Sequence, residues 1–124
     1  MCMASEEWVR RVEEVVAGSI RECLENIKRE KEPCTIVLSD GRAFDIYAFE
    51  RTSGGYLYLE KSGSAYERIR FEDGYMYEIN DLLDEVFTVY HYRARRNADT
   101  KEVLKKELYE IIVVPYSAVV RIVF

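Results

Sequence analysis

A chain of 124 residues has room for one domain with a true hydrophobic core, and 48% of its residues are apolar. Its net charge of −5 argues against a uniformly basic nucleic-acid-binding protein. A charged fraction of 33% without a single glutamine is typical of thermophile proteins. The sequence has no apolar stretch of bilayer length, and its start lacks the basic and apolar regions of a signal peptide. We therefore predict a single cytoplasmic domain over residues 1–124, with no membrane partner.

The first third of the chain predicts one long helix within residues 1–32. Apolar residues recur at intervals of three and four from Trp8 to Ile27, while Glu and Arg fill the opposite side. Ser5 is a suitable N-cap, and Pro33 ends the helix. The apolar stripe must pack on a sheet or on another copy of the chain.

Residues 34–124 predict a sheet of about eight strands, because the apolar spacing changes from helical to alternating after Pro33. Asp40-Gly41 is a strong hairpin signal between the first two strands. The predicted fold class is therefore α+β, mainly β. In this fold a long N-terminal helix precedes a strongly bent, mainly antiparallel sheet.

Turn and cap residues predict three further details of the sheet. A second hairpin pairs Tyr66–Phe71 with Tyr75–Ile79 around Gly74. Residues 80–85 form one short helical turn. Residues 97–108 hold a short helix that begins with a capping box.

The cysteines and the single histidine do not match a known metal site. Cys2, Cys23 and Cys34 lack a C-x-x-C spacing, which is typical of reduced thiols, although a Cys23–Cys34 bridge stays open. Combined with His91, their spacings match no structural zinc unit. We predict no metal and no cofactor.

Candidates for catalysis are equally weak. Acidic groups at 72–73 and 81–85 offer oxygen ligands for a divalent cation, but their positions favour a hairpin turn and a capped helical turn. His91 lies in mid-strand among aromatic residues, and no local pattern supplies the carboxylate or nucleophile that a general base needs. We interpret His91 as a structural histidine and assign no catalytic residue.

Tyrosines form three i, i+2 pairs in the predicted strands, and each pair should lie on one face of its strand. The pairs are Tyr56/Tyr58, Tyr75/Tyr77 and Tyr90/Tyr92. Such a surface suits a protein interface or the stacking of unpaired bases, and it is also typical of a half-buried sheet under a helix. The residues that we assign to a candidate interface are Tyr56, Tyr58, Tyr75, Tyr77 and Tyr90.

One segment is locally basic on this acidic chain, since residues 93–106 carry six bases against two acids. On a continuing strand, His91, Arg93 and Arg95 share one face. Arginine pairs with phosphates and stacks on bases. We therefore assign a candidate RNA-binding strip to His91, Tyr92, Arg93, Arg95 and Arg96. The alternative is a solvated loop that neutralises the acidic body.

Two segments resemble the Sm-like (Lsm) small β-barrel family. Residues 36–44, Ile-Val-Leu-Ser-Asp-Gly-Arg-Ala-Phe, are similar to the opening of its first motif, and residues 113–122 are similar to its last two strands. The resemblance implies an initial helix and a bent sheet closed into a small barrel, with a hairpin inserted in 61–106. The family's internal glycine aligns with Ile46, and its uridine-pocket residues have no counterpart here.

Together these features predict a non-enzymatic binding module of Sm-like type that forms a homo-oligomer. Its partner is a protein or a short single-stranded RNA, and the negative net charge ranks the protein first. The helix stripe and the tyrosine pairs are the expected contacts between copies. The rival interpretation is a small enzyme whose site is assembled from residues distant in sequence.

Overall fold

The computed structural model describes residues 13–61, 63 and 65–124. The elements of this part are helix α1 (Glu13–Glu30), strands β1 (Cys34–Leu38), β2 (Ala43–Ile46), β3 (Glu50–Lys61), β4 (Ala65–Leu82), β5 (Val86–Asn97), β6 (Val103–Pro115) and β7 (Val119–Val123), and a 3-10 turn (Tyr116–Ala118). The protein is therefore α+β and mainly β, as predicted. Ser5 and Trp8, expected near the start of the helix, lie outside the described residues.

The strands form one sheet in the spatial order β6-β5-β4-β2-β1-β7, and β3 also pairs with β4. The pairs are antiparallel except for one parallel bridge between Ile46 of β2 and Tyr77 of β4. β6 and β7 each have one neighbour among the described strands, so the sheet is open at both edges. Closure into the predicted small barrel is not shown.

The chain reverses direction between β2 and β3, since β2 is parallel to β4 and β3 is antiparallel to it. Tyr47 follows β2 with a φ of 57°, a left-handed conformation that is uncommon for a residue with a side chain. Its backbone N–H donates to the carbonyl of Tyr77 at 2.8 Å, and its hydroxyl donates to the carbonyl of Ile79. Burial raises the pKa of this tyrosine to about 12. Tyr47, anchored on β4, thus lies in the turn between β2 and β3, one residue after the Ile46 that aligns with the glycine of the Sm-like pattern.

Helix α1 packs its apolar stripe on the sheet. Ile20, Cys23, Leu24 and Ile27 are at most 3% exposed. The sheet and the 3-10 turn supply the rest of this core, namely Cys34, Ile36, Leu38, Phe44, Ile46, Ile79, Phe87, Val89, Val114, Tyr116, Val119 and Ile122. The described part of the stripe is therefore covered by the chain's own sheet, which is one of the two partners that the sequence allowed.

The two described cysteines both lie in this core. Cys34 is a free thiol whose pKa is raised to about 11 by burial, so the Cys23–Cys34 bridge is not formed. Cys23 is disulfide-bonded, which corrects the prediction of a reduced thiol at that position. A free buried thiol such as Cys34 packs as a small apolar side chain.

Strand β4 corrects the prediction of a hairpin around Gly74. Ala65–Leu82 is one continuous strand, and Gly74 lies inside it, paired with Arg51 of β3 and Ala94 of β5. A Cβ at this position would collide with the backbone carbonyl oxygen of Glu50. The glycine therefore permits a close approach between two strands and does not make a turn.

The two predicted helical segments that follow are also wrong. The segment 80–85 contains the end of β4, and the second half of 97–108, from Val103 on, belongs to β6. The Asn97 side chain accepts hydrogen bonds from the backbone N–H groups of Asp99 and Thr100, at 2.8 and 3.1 Å. Asn97 therefore builds a tight turn between β5 and β6 where a capping box at Asp99 and Glu102 was expected to begin a helix. Asn side chains commonly bond nearby backbone groups in turns.

Candidate functional site

Side chains of a strand point alternately to the two faces of a sheet, and the helix marks one of these faces. We call the face that carries α1 the front face and the opposite one the back face. On β5, Phe87 and Val89 point to the front and are buried under the helix. The same alternation divides the predicted RNA-binding strip, with His91, Arg93 and Arg95 on the front and Tyr92 and Arg96 on the back.

His91 lies in an aromatic cluster on the front face. Its ring stacks on Tyr77 with the centroids 4.1 Å apart, and the rings of Tyr75 and Tyr109 lie 5.3 and 5.2 Å away. Nδ1 of His91 is 3.0 Å from Oε1 of Glu110, and the histidine side chain is 13% exposed. This enclosure fits the interpretation of His91 as a structural histidine.

The arginines of the front face are engaged within the protein. Arg95 donates two hydrogen bonds to the carboxylate of Asp73, at 2.8 and 3.1 Å, and lies 3.9 Å from the ring centre of Phe71. These bonds lower the pKa of Asp73 and raise that of Arg95. A hydrogen bond with Tyr75 raises the pKa of Arg93. The front face has a depression of about 310 Å³, which we call the front depression. It is lined largely by groups that already have partners.

The back face continues onto a two-stranded ribbon that extends from the sheet. β3 and β4 pair along the whole ribbon, whereas β5 first pairs with β4 at Phe71. From Ala65 to Arg70, β4 pairs with β3 alone among the described strands. Cross-strand partners point to the same face, and the register therefore aligns Tyr56 with Arg70 and Tyr58 with Arg68.

These four residues and three nearby cations form one surface, which we call the back strip. It consists of Arg51, Tyr56, Tyr58, Arg68, Arg70, Arg96 and Lys101. Its five cations are accompanied by two carboxylates, Glu72 and Asp99, which leaves a local charge of +3 on a chain with a net charge of −5. Glu60, toward the ribbon tip, marks the outer limit of the strip.

Glu72 organises the inner end of the back strip. Its Oε1 accepts hydrogen bonds from Lys101 at 3.1 Å and from Arg96 at 3.2 Å, and its Oε2 lies 3.8 Å from Nε of Arg51. The hydrogen bond from Lys101 and the neighbouring positive charges hold the pKa of Glu72 below its usual value. One carboxylate thus gathers three cations and leaves a positive surplus.

The outer end combines exposed aromatic rings with a stacked arginine. The guanidinium of Arg68 lies 3.8 Å from the ring centre of Tyr56 and 6.0 Å from that of Tyr58. The two tyrosines are 55% and 62% exposed. A depression of about 390 Å³ beside them is lined by Tyr56, Arg70 and Lys101, among others. This open surface can accept a base on a ring and a phosphate on an adjacent cation.

The tyrosines of the candidate interface do not share one surface. Tyr56 and Tyr58 belong to the back strip, and Tyr75 and Tyr77 belong to the front cluster around the histidine. Tyr90 lies on the back face of β5, where its ring is 6.0 Å from that of Tyr92. Each predicted pair does lie on one face of its strand, but the pairs are distributed over both sides of the sheet.

Four cations of the back strip were missed from the sequence, namely Arg51, Arg68, Arg70 and Lys101. The available signal was the alternation Arg-x-Arg at 68–70 opposite Tyr-x-Tyr at 56–58. It becomes visible only when β3 and β4 are placed in register, and the sequence analysis paired 66–71 with the wrong segment.

The described part of the chain contains no group of three His, Cys, Asp or Glu side chains placed to hold a metal ion. Within the same residues, no helix has the length and apolar character that crossing a bilayer requires. No protein-family model, no curated protein and no solved structure matches this chain. The geometry of the back strip is therefore the basis for a functional assignment.

Proposed function

We propose that this protein is a non-enzymatic binding module that holds short single-stranded RNA on its back strip. One observation carries the proposal: two exposed tyrosines, an arginine stacked on one of them and four further cations lie on one open face of an acidic chain. Cations neutralise the phosphates of a nucleic acid, and aromatic rings stack on its unpaired bases.

The dimensions of the strip suit a few nucleotides. From Arg51 to Tyr58 the strand rises about 3.3 Å per residue, so the strip extends over roughly 23 Å. Cations dominate its inner end and rings its outer end. A single-stranded RNA lying along β3 would therefore place its phosphates near Lys101 and Arg70 and a base against Tyr58.

Local charge favours RNA over a protein partner for this surface, although the net charge of the whole chain favours a protein. Both carboxylates of the strip already accept bonds from its own cations, and three positive charges remain in excess. The acidic remainder of the chain repels long nucleic acids, so we expect short ligands and modest affinity.

The rival enzyme has less support from the geometry. Its best candidate residue, His91, is enclosed by three tyrosines and Glu110 and is 13% exposed. A general base must reach the proton that it removes from a substrate. Enclosed in this way, the imidazole is better placed to support the sheet than to meet a ligand.

The Sm-like type of the module, its closure as a small barrel, self-assembly and a cytoplasmic location remain parts of this proposal. A helix followed by a mainly antiparallel sheet, with a chain turn at Tyr47, supports the resemblance at residues 36–44. The binding surface proposed here is separate from that resemblance, since it is built by the ribbon of β3 and β4.

The experiment compares two tyrosines of similar exposure on opposite faces. Tyr58 on the back strip is 62% exposed and Tyr109 on the front face is 60% exposed. Stacking of a base is worth about 1–3 kcal/mol, so Tyr58→Ala should weaken the binding of a short single-stranded RNA roughly tenfold. Fluorescence anisotropy at low salt measures this, and Tyr109→Ala is the matched control with the affinity of the native protein.

A duplex of the same sequence should bind more weakly than the single strand, because its bases are stacked on one another. If the native protein binds no single-stranded RNA at low salt, the proposal fails. If Tyr109→Ala loses affinity and Tyr58→Ala does not, the ligand lies on the front face and the assignment of the back strip is wrong.

A further inference from the structure

Strand β6 forms one outer edge of the sheet, and its two halves differ. The first half carries Lys105 and Lys106 and two register irregularities against β5, features that protect an edge from unwanted pairing. The second half reads Ile111-Ile112-Val113-Val114, with no charge and no irregularity before Pro115. Ile111 and Val113 are 50% and 58% exposed. Among the described residues, no strand pairs with the outer side of this half, which we call the bare half.

The backbone of the bare half has hydrogen-bonding groups that point outward. At the two ends of the β5–β6 pair, Tyr116 donates to the carbonyl of Glu85 at 3.1 Å, and Asn97 donates to that of Glu102 at 2.8 Å. The odd-numbered residues of β5 therefore direct their backbone N–H and C=O groups toward β6, whereas Thr88 and Tyr90 direct theirs toward β4. In an antiparallel pair, the β6 residues opposite Thr88 and Tyr90 also turn their N–H and C=O groups away from the partner strand, which here is β5. They are Val113 and Ile111.

We propose that a second copy of this chain pairs with the bare half of β6, antiparallel, about a two-fold axis at Ile112. In this register Ile111 of each copy lies opposite Val113 of the other, and both residues have outward N–H and C=O groups to exchange. Glu110 lies opposite Val114, so no like charges meet. The segment is therefore complementary to itself, which an isologous contact requires.

Charge favours a second copy at this place on the surface. Two chains of net charge −5 repel each other, and residues 111–114 form a neutral, apolar segment where they can approach. Pairing joins Ile111 and Val113 of both copies into one row of β-branched side chains on the back face, the kind of neighbours that antiparallel pairs favour.

The two-fold axis of such a pair is perpendicular to the sheet, so the back faces of both copies lie on the same side. This arrangement brings two back strips onto one continuous surface, and an RNA long enough to reach both would bind with avidity. The avidity rests on the proposed binding of RNA, whereas the dimer needs only the open edge of β6 and excludes closure of the sheet through that edge.

Light scattering of the full chain at high micromolar concentration tests the dimer. The native protein should have twice the mass of one chain. Replacing Ile111 and Val113 together with lysine should give a monomer, because charged side chains on an edge strand prevent pairing. The matched control replaces Val120 and Val123 with lysine on β7, the opposite edge, where the native residues are 42% and 41% exposed.

A dimer in the control and a monomer in the β6 variant support the proposal. Loss of association in both variants would indicate head-to-tail pairing of β6 with β7 and would overturn the proposed β6–β6 pairing. A native protein that stays monomeric would also overturn it. A measurement on the native chain guards against misfolded variants. The amide N–H groups of Ile111 and Val113 should exchange with solvent more slowly as concentration rises, and concentration-independent exchange would contradict the pairing.

Discussion

Replacing Gly74 with alanine should lower the free energy of unfolding by about 3 kcal/mol, which is the upper end of the usual cost of overpacking. The new Cβ would collide with the carbonyl oxygen of Glu50 and would lie 2.7 Å from atoms of the Phe49 ring. Backbone cannot move aside as a flexible side chain does, so β3 must shift at the point where it joins β4. Urea unfolding followed by circular dichroism measures the loss.

Gly18→Ala is the matched control for this substitution. Gly18 lies in α1, and an added Cβ would have no atom within 4 Å apart from the helix's own neighbours. Alanine is preferred to glycine inside a helix, so stability should rise by up to about 1 kcal/mol. Equal effects of the two alanines would show that Gly74 does not mark a close approach of two strands.

Reversing two charges on the ribbon should weaken RNA binding on the order of 100-fold, because each lost phosphate contact becomes a repulsion. The variant is Arg68→Glu with Arg70→Glu. Both arginines are exposed residues of β4, and the ion pair of Arg70 with Asp99, at 2.7 Å, is itself exposed, so the fold should tolerate the change. Anisotropy at several salt concentrations should also show a log–log salt slope that is shallower by roughly 1.4, about 0.7 for each phosphate contact.

The matched control makes the same change of charge on the front face, as Arg93→Glu with Lys105→Glu. Both residues line the front depression. The control should lose only the small affinity that follows from a more negative chain. A larger loss in the control than in the ribbon variant would place the RNA at the strip first predicted from the sequence.

Local pattern sufficed to predict the described part of the helix, Glu13–Glu30, and the hairpin at Asp40-Gly41, because both depend on residues close in sequence. It failed at Gly74, which has the flanking residues of a turn but serves a contact with β3 that is distant along the chain. It failed again at the expected capping box of Asp99 and Glu102, where the side chain of Asn97 holds a turn and no helix begins. In each case one residue type satisfies two local structures, and long-range pairing selects between them.

The candidate site was predicted in part for the same reason. The basic stretch and the tyrosine pairs are visible in the sequence, but the faces on which they lie depend on strand register. The sequence marks Arg95 as a possible phosphate-binding residue, but in the structure its guanidinium is engaged by the carboxylate of Asp73. Arg68 attracts no attention as an isolated residue, and it acquires a role only because β3 places two tyrosines beside it.

The central claim, that single-stranded RNA binds the back strip, is tested most directly by NMR of side-chain signals in the native protein. A short RNA oligomer is titrated while the Nε–H signals of the arginines and the ring signals of the tyrosines are followed. The account predicts the largest changes at Tyr56, Tyr58 and Arg68. Changes at Arg93 and Tyr109, with the ribbon signals unmoved, would contradict it.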